Sequence, residues 1–203
     1  MRGRQEMKNV IASAALALVL GGCAQIQSVN PFAWTTLLEG ASGMENWTRV
    51  GDANWHGVEG AIQADRKTDK ASSFLLSKKI YRDFVLRVEF WSSDDANSGI
   101  YMRCQDPKNL TDKSCYEANI FDQRPDPTYG TGSIVHIAPI KHMPKAGGKW
   151  NTYEITVKGS QMTVVLNGQE TVQTRALKFM DGPIALQYAA GTIKFRRVQI
   201  RPL

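Results

Sequence analysis

An all-β fold, a two-sheet antiparallel jelly-roll sandwich, is the class that the sequence predicts. Three observations predict it. Polar–apolar alternation recurs in short runs, three of these runs are joined by two-residue turn signals, and beyond residue 33 no segment has the periodicity of an amphipathic helix. Phe84–Trp91 (FVLRVEFW) sets Phe84, Leu86, Val88 and Phe90 on one face and Val85, Arg87, Glu89 and Trp91 on the other. Gly99–Cys104, Tyr116–Phe121, Ser133–Ile137, Ile184–Tyr188 and Ile193–Ile200 read in the same way. Residues 151–174 are the clearest piece: NTYEITVK, Gly159-Ser160, QMTVVL, Asn167-Gly168 and QETVQT make a three-strand meander. Glycine in each turn accepts the positive φ that suits strand twist. Ten to twelve short strands, roughly, then fold as two stacked sheets, with Asp106–Ser114 and Gln123–Gly132 as long loops open to binding chemistry.

The 203 residues suffice for one ordinary domain. A core of this size buries roughly 70% of the unfolded surface, so no metal or disulfide lattice is required for stability. Residues 1–22 have another character. Met7-Lys8-Asn9 is a short positive start, Val10–Leu20 is an apolar run, and Leu20-Gly21-Gly22-Cys23 closes it. The run rises only about 16 Å as a helix, too short for a bilayer core of roughly 30 Å. It therefore reads as a signal peptide. Small residues directly before a cysteine resemble the bacterial lipobox, in which Cys23 carries the lipid; the alternative is an ordinary signal peptide with an incidental cysteine. The expected organisation is a signal peptide at 1–22, a lipidated tether at 23–33 and a jelly-roll domain at 34–203. Ala24 stands where an inner-membrane retention aspartate would stand. The expected location is thus the bacterial cell envelope, with the protein held by its lipid anchor in the outer membrane and facing periplasm or exterior.

In that compartment Cys104 and Cys115 are expected to pair as a disulfide. Net charge is +6 for the chain and +4 beyond residue 22. The bases are scattered rather than gathered in a stripe, which argues against nucleic acid as a partner. No HExxH, cysteine pair of zinc spacing, GxSxG, P-loop or GxGxxG after a strand is present. No cofactor is called for, although a metal ion is left open. His136, on a strand face with Ile134, and His142, in a loop before Pro144, read first as structural or surface histidines, with a base or metal ligand as the alternative for either.

Several segments are familiar in order and spacing: Asn97-Ser98-Gly99-Ile100 with Arg103, Tyr116-Glu117-Ala118-Asn119-Ile120 with Asp122, Trp150-Asn151, Leu166-Asn167-Gly168, Gly182-Pro183-Ile184-Ala185-Leu186-Gln187 and the closing Phe195–Ile200. Together they resemble the 3-keto-disaccharide hydrolase domain family, over roughly residues 35–203. The resemblance implies a concanavalin-like jelly roll of the kind shared with laminarinase-type glucanases. It also implies cleavage of glycosides oxidised to a ketone at C3, with a small carbohydrate as partner. A plain sugar-binding envelope protein on the same fold is the alternative. A direct glucanase is disfavoured, because Glu117 and Asp122 are five apart and face opposite sides of a strand.

Strand parity turns this into a site. Glu89, Arg103, Glu117, Asn119 and Gln187 are expected to converge on one sheet surface. A C3 ketone acidifies the C2 proton; Glu89 or Glu117 would remove it, each carboxylate raising the pKa of the other. Arg103, Asn97 or a metal would stabilise the enediolate oxygen. Asn97, Asn119, Gln187, Asp122 and Trp91, the last as a stacking platform beside Glu89, complete the substrate-binding set.

Overall fold

The computed structural model describes residues 33–203, so the expected signal peptide, Cys23 and most of the expected tether lie outside the described residues. Within it are two antiparallel sheets packed face to face. Strands are β1 (Thr35–Glu39), β2 (Trp47–Val50), β3 (His56–Val58), β4 (Ala61–Ala64), β5 (Ser73–Ser77), β6 (Phe84–Ser92), β7 (Ser98–Met102), β8 (Tyr116–Ile120), β9 (Trp150–Lys158), β10 (Gln161–Leu166), β11 (Gln169–Arg175), β12 (Ala185–Tyr188) and β13 (Ile193–Pro202). The larger sheet has the order β11-β10-β9-β6-β13-β4-β3, with β1 also on β13; the smaller is β2-β5-β12-β7-β8.

Alternation explains the packing. The apolar set of β6, Phe84, Leu86, Val88 and Phe90, is fully buried against Ile100 and Met102 of β7 and Tyr116, Ala118 and Ile120 of β8. In β13 the register shifts between Phe195 and Arg197. This bulge keeps Phe195 and Val198 in the core while Arg196 and Arg197 both face solvent. The β9–β10–β11 meander forms as expected, with Asn167 (φ 53°) and Gly168 (φ 82°) in its second turn.

Three expectations are corrected. Residues 133–137 form no strand: Ile134 makes only isolated bridges to Ala118 and Ala138, and His136 turns at φ 58°. β7 stops at Met102, because Arg103 adopts φ 50° and leaves the face of Tyr101. Most consequential, β6 pairs with β9 and β13, whereas β7 and β8 lie in the other sheet. The link after Ser92 crosses between layers instead of turning back as a hairpin, so Glu89 and Glu117 stand on opposite outer surfaces of the sandwich.

Arg103 is fully buried at one end of the sandwich. Its guanidinium donates to the carbonyls of Arg82 (3.0 Å), Gly159 (2.8 Å) and Phe179 (3.1 Å) and to Asp83 (3.1 Å). One planar fork thus ties the β5–β6 connection to the β9–β10 turn and the segment before β12. Replacement by methionine strands those acceptors and costs roughly 3–5 kcal/mol in urea denaturation; lysine, with no fork, restores only part of the loss.

Candidate active site

The outer face of the five-stranded sheet carries a second apolar cluster of Phe74, Leu76, Tyr101, Ala185 and Leu110, closed off by Cys104 and Cys115. These cysteines form a disulfide. It pins the intervening loop over the sheet and brings Leu110, Thr111 and Asp112 onto that face. Beside the cluster is a cleft of about 260 Å³ lined by Ser72, Asn97, Tyr101, Asp112, Glu117, Arg124 and Gln187 among others.

Glu117 is the centre of it. In β8 its neighbours Tyr116 and Ala118 point into the core, so its own side chain must point out, towards the loop. Tyr101 is its cross-strand partner and Gly99 lies diagonally opposite. The missing side chain at Gly99 gives the carboxyl its room: a Cβ there would stand 2.6 Å from Glu117 Oε1. Glu117 is only 6% exposed. Burial pushes its pKa up from 4.5 to about 7, and the nearby Asp112 adds to the rise; Tyr101 and Arg124 favour the anion and oppose it. The expectation that Glu89 would supply this effect is corrected, since burial and Asp112 supply it.

Polar groups surround the carboxyl. Gln187 Nε2 donates to Tyr101 Oη (3.0 Å) and, at 3.3 Å, to Ser72 Oγ. Gln187 Oε1 and, one residue pair along the sheet, Asn119 Oδ1 are buried without a protein partner, while Asn119 Nδ2 donates to the Tyr129 carbonyl (2.7 Å). Asp112 Oδ2 is 3.1 Å from His136 Nε2, and Tyr129 stacks on that imidazole at 5.4 Å.

Of the residues singled out in the sequence, the cleft gathers Glu117, Asn97 and Gln187, with Asn119 adjacent on the same face. Four are elsewhere. Glu89 binds Arg196 at 2.5 Å on the outer face of the larger sheet, where Trp91 also lies. Arg103 is structural, as described. Asp122 accepts from the Ala146 (2.8 Å) and Gly147 (2.9 Å) amides and from Thr131 (2.6 Å), so it fastens loops together. Tyr101, Asp112, Arg124 and Ser72 were not singled out. Tyr101 shares the outward parity of Glu117, and Asp112 sits between the paired cysteines; those were the available signals. No group of three or more metal-binding side chains occurs among the described residues. A larger cleft of about 600 Å³ lies between β11 and residues 137–144. It is lined by Lys141, His142 and Glu170 and has no buried ionisable group.

The fold has solved counterparts. A candidate glycosyl hydrolase from Parabacteroides distasonis superposes with a TM-score of 0.71 at 17% identity, over 84% of this chain and 94% of that one. A second from the same organism gives 0.68 at 22%, over 84% and 100%. The carbohydrate-binding module CBM66 of Bacillus subtilis gives 0.59 at 17%, over 85% and 97%. At these identities the likeness establishes the jelly-roll class. No curated protein matches the chain by sequence. The chain belongs to the 3-keto-alpha-glucoside-1,2-lyase-like domain family, whose model matches residues 33–201. It is therefore a carbohydrate-active domain of glycosyl-hydrolase type.

The raised pKa has a thermodynamic consequence. Between the unfolded value of 4.5 and the folded value of about 7, the native state holds a proton that the unfolded chain has lost. Stability from this group is complete below the first value and is lost as pH rises through the second. Relative to Glu117→Gln, the protein should lose about 3 kcal/mol between acid and mildly alkaline pH, read by urea denaturation across that range. Parallel pH dependence in the two proteins would show that Glu117 titrates normally.

Proposed function

We propose that this protein cleaves 3-keto-glycosides by proton abstraction and β-elimination, with Glu117 as the base. The observation that carries the reading is a carboxyl with a pKa of about 7, buried at the floor of a polar cleft in a domain of this family. Such a group is an anion for about half its population at neutral pH and a far stronger base than a solvated glutamate.

Glu117 takes the C2 proton. The C2–H electron pair forms a C2=C3 bond, and the C3 carbonyl oxygen becomes the enediolate oxygen. Arg124 and the Tyr101 and Asn97 donors lie in the same cleft as groups able to stabilise that charge. The enediolate then re-forms the ketone, a C1=C2 bond appears and the C1–oxygen bond breaks. We assign the proton on the departing oxygen to His136, held by Asp112. Addition of water across C1=C2 completes a net hydrolysis. The unpartnered Gln187 Oε1 supports substrate binding, since a buried acceptor gains from a sugar hydroxyl.

A non-catalytic sugar-binding role is the second reading, favoured by the small volume of the cleft and by the fold shared with CBM66. For cellular placement, the lipobox-like Leu20–Cys23 supports export and lipid attachment at Cys23.

Glu117→Gln should lower kcat on a 3-keto-glucoside by about 10²–10⁴-fold, the usual contribution of a general base, while kcat of the unaltered protein should rise with pH to a plateau above about 7. Binding of the 3-keto-glucoside without product would support the module instead. Loss of His136 (His136→Asn) should slow alkyl glycosides and spare p-nitrophenyl glycosides, whose leaving group needs no proton; equal loss on both would remove His136 from the acid role.

A further inference from the structure

The outer face of the larger sheet, opposite the cleft, is built unlike the rest of the surface. Trp91 of β6 pairs with Trp150 of β9 and with Lys194 of β13. The next rows contain Glu89 with Arg197, then Arg87 with Glu154 and Gln199. Trp34, just before β1, lies over the end of this surface. Each indole has a cation on its face: Arg87 (4.7 Å) and Arg201 (5.5 Å) at Trp34, Lys194 (5.2 Å) at Trp91 and Arg196 (4.3 Å) at Trp150. Across β1, β6, β9 and β13 the outward bases are Arg87, Lys158, Lys194, Arg196, Arg197 and Arg201, against Glu39, Glu89 and Glu154; Glu59, 3.9 Å from Lys194, is the adjoining acid.

We propose that this face is a docking surface for anionic phospholipid headgroups. Indole rings interleaved with guanidinium groups suit the interface between water and acyl chains, where the ring enters the headgroup layer and the cation meets phosphate. A glycan is the poorer occupant, because sugar stacking needs a bare ring and these rings are covered by cations. The chain supplies an independent argument. Its described part begins on this face, with Trp34 eleven positions after Cys23. If Cys23 is lipidated, as proposed above, the anchor and this face address the same membrane, and a weak surface contact would supplement a lipid that holds the chain. The active-site cleft, on the other sheet, would then face away from the bilayer.

Residues 24–203 without the acyl group contain both sheets and the whole core, and serve for the test. They should float with vesicles of phosphatidylcholine plus phosphatidylglycerol, not with phosphatidylcholine alone, and high salt should release them. Arg196→Gln with Arg197→Gln should weaken flotation by about tenfold; Arg196→Lys with Arg197→Lys, and Glu117→Gln, should leave it intact. The glutamate variant separates this surface from the catalytic reading, and mass spectrometry of the exported chain tests Cys23 separately. No flotation with the anionic vesicles, or flotation unaffected by the two glutamines, would overturn the proposal. Retention instead on an insoluble glycan through Trp34 and Trp150 would replace lipid with sugar.

Discussion

A carboxyl kept from water on the open face of a sheet is the constraint around which this molecule is arranged. Taking a carboxylate out of water is costly unless it is paired or neutralised. Here no bidentate arginine or row of amides fully offsets the cost. Glu117 lies under a disulfide-pinned loop, over the space left by Gly99, with a tyrosine on one side and an aspartate's charge on the other. The buried carboxyl and the neighbouring aspartate charge are destabilising by themselves, whereas the disulfide stabilises the loop that covers them. Together they produce an acid that exchanges its proton near neutrality, and the closely packed core between the sheets carries the cost.

The two outer surfaces divide the remaining work. One sheet presents a cleft with a buried ionisable group, amide acceptors without protein partners and loops on its rim. The other presents regular rows of paired charges and capped indoles. Exposed ion pairs of the second kind add little stability, and their alignment with three tryptophans fits the docking role proposed for this face.

Much of the fold was legible in the sequence. Period-two alternation in Phe84–Trp91 and the Asn167-Gly168 turn are local signals, set by residues that touch one another along the chain. The side to which Glu117 points was legible for the same reason. Which sheet a strand joins is a long-range matter, however, and parity contains no information about it. Glu89 and Glu117 both point outward, as alternation requires, yet the crossing after Ser92 puts the thickness of the sandwich between them. Arg103 failed for a different reason: the strand ended one residue earlier, at a positive φ that an arginine rarely adopts. Asp112 was hidden in a polar loop, and only the Cys104–Cys115 pairing shows that this loop folds back on the sheet.

The central claim is that Glu117 is a neutral-range acid because of where the fold holds it. Carboxyl carbon NMR of glutamate-labelled protein, with Glu117→Gln to assign the signal, reads this directly. The account predicts one glutamate carboxyl titrating near pH 7, absent from the variant. A Glu117 resonance that titrates close to 4.5, with the other glutamates, would contradict it.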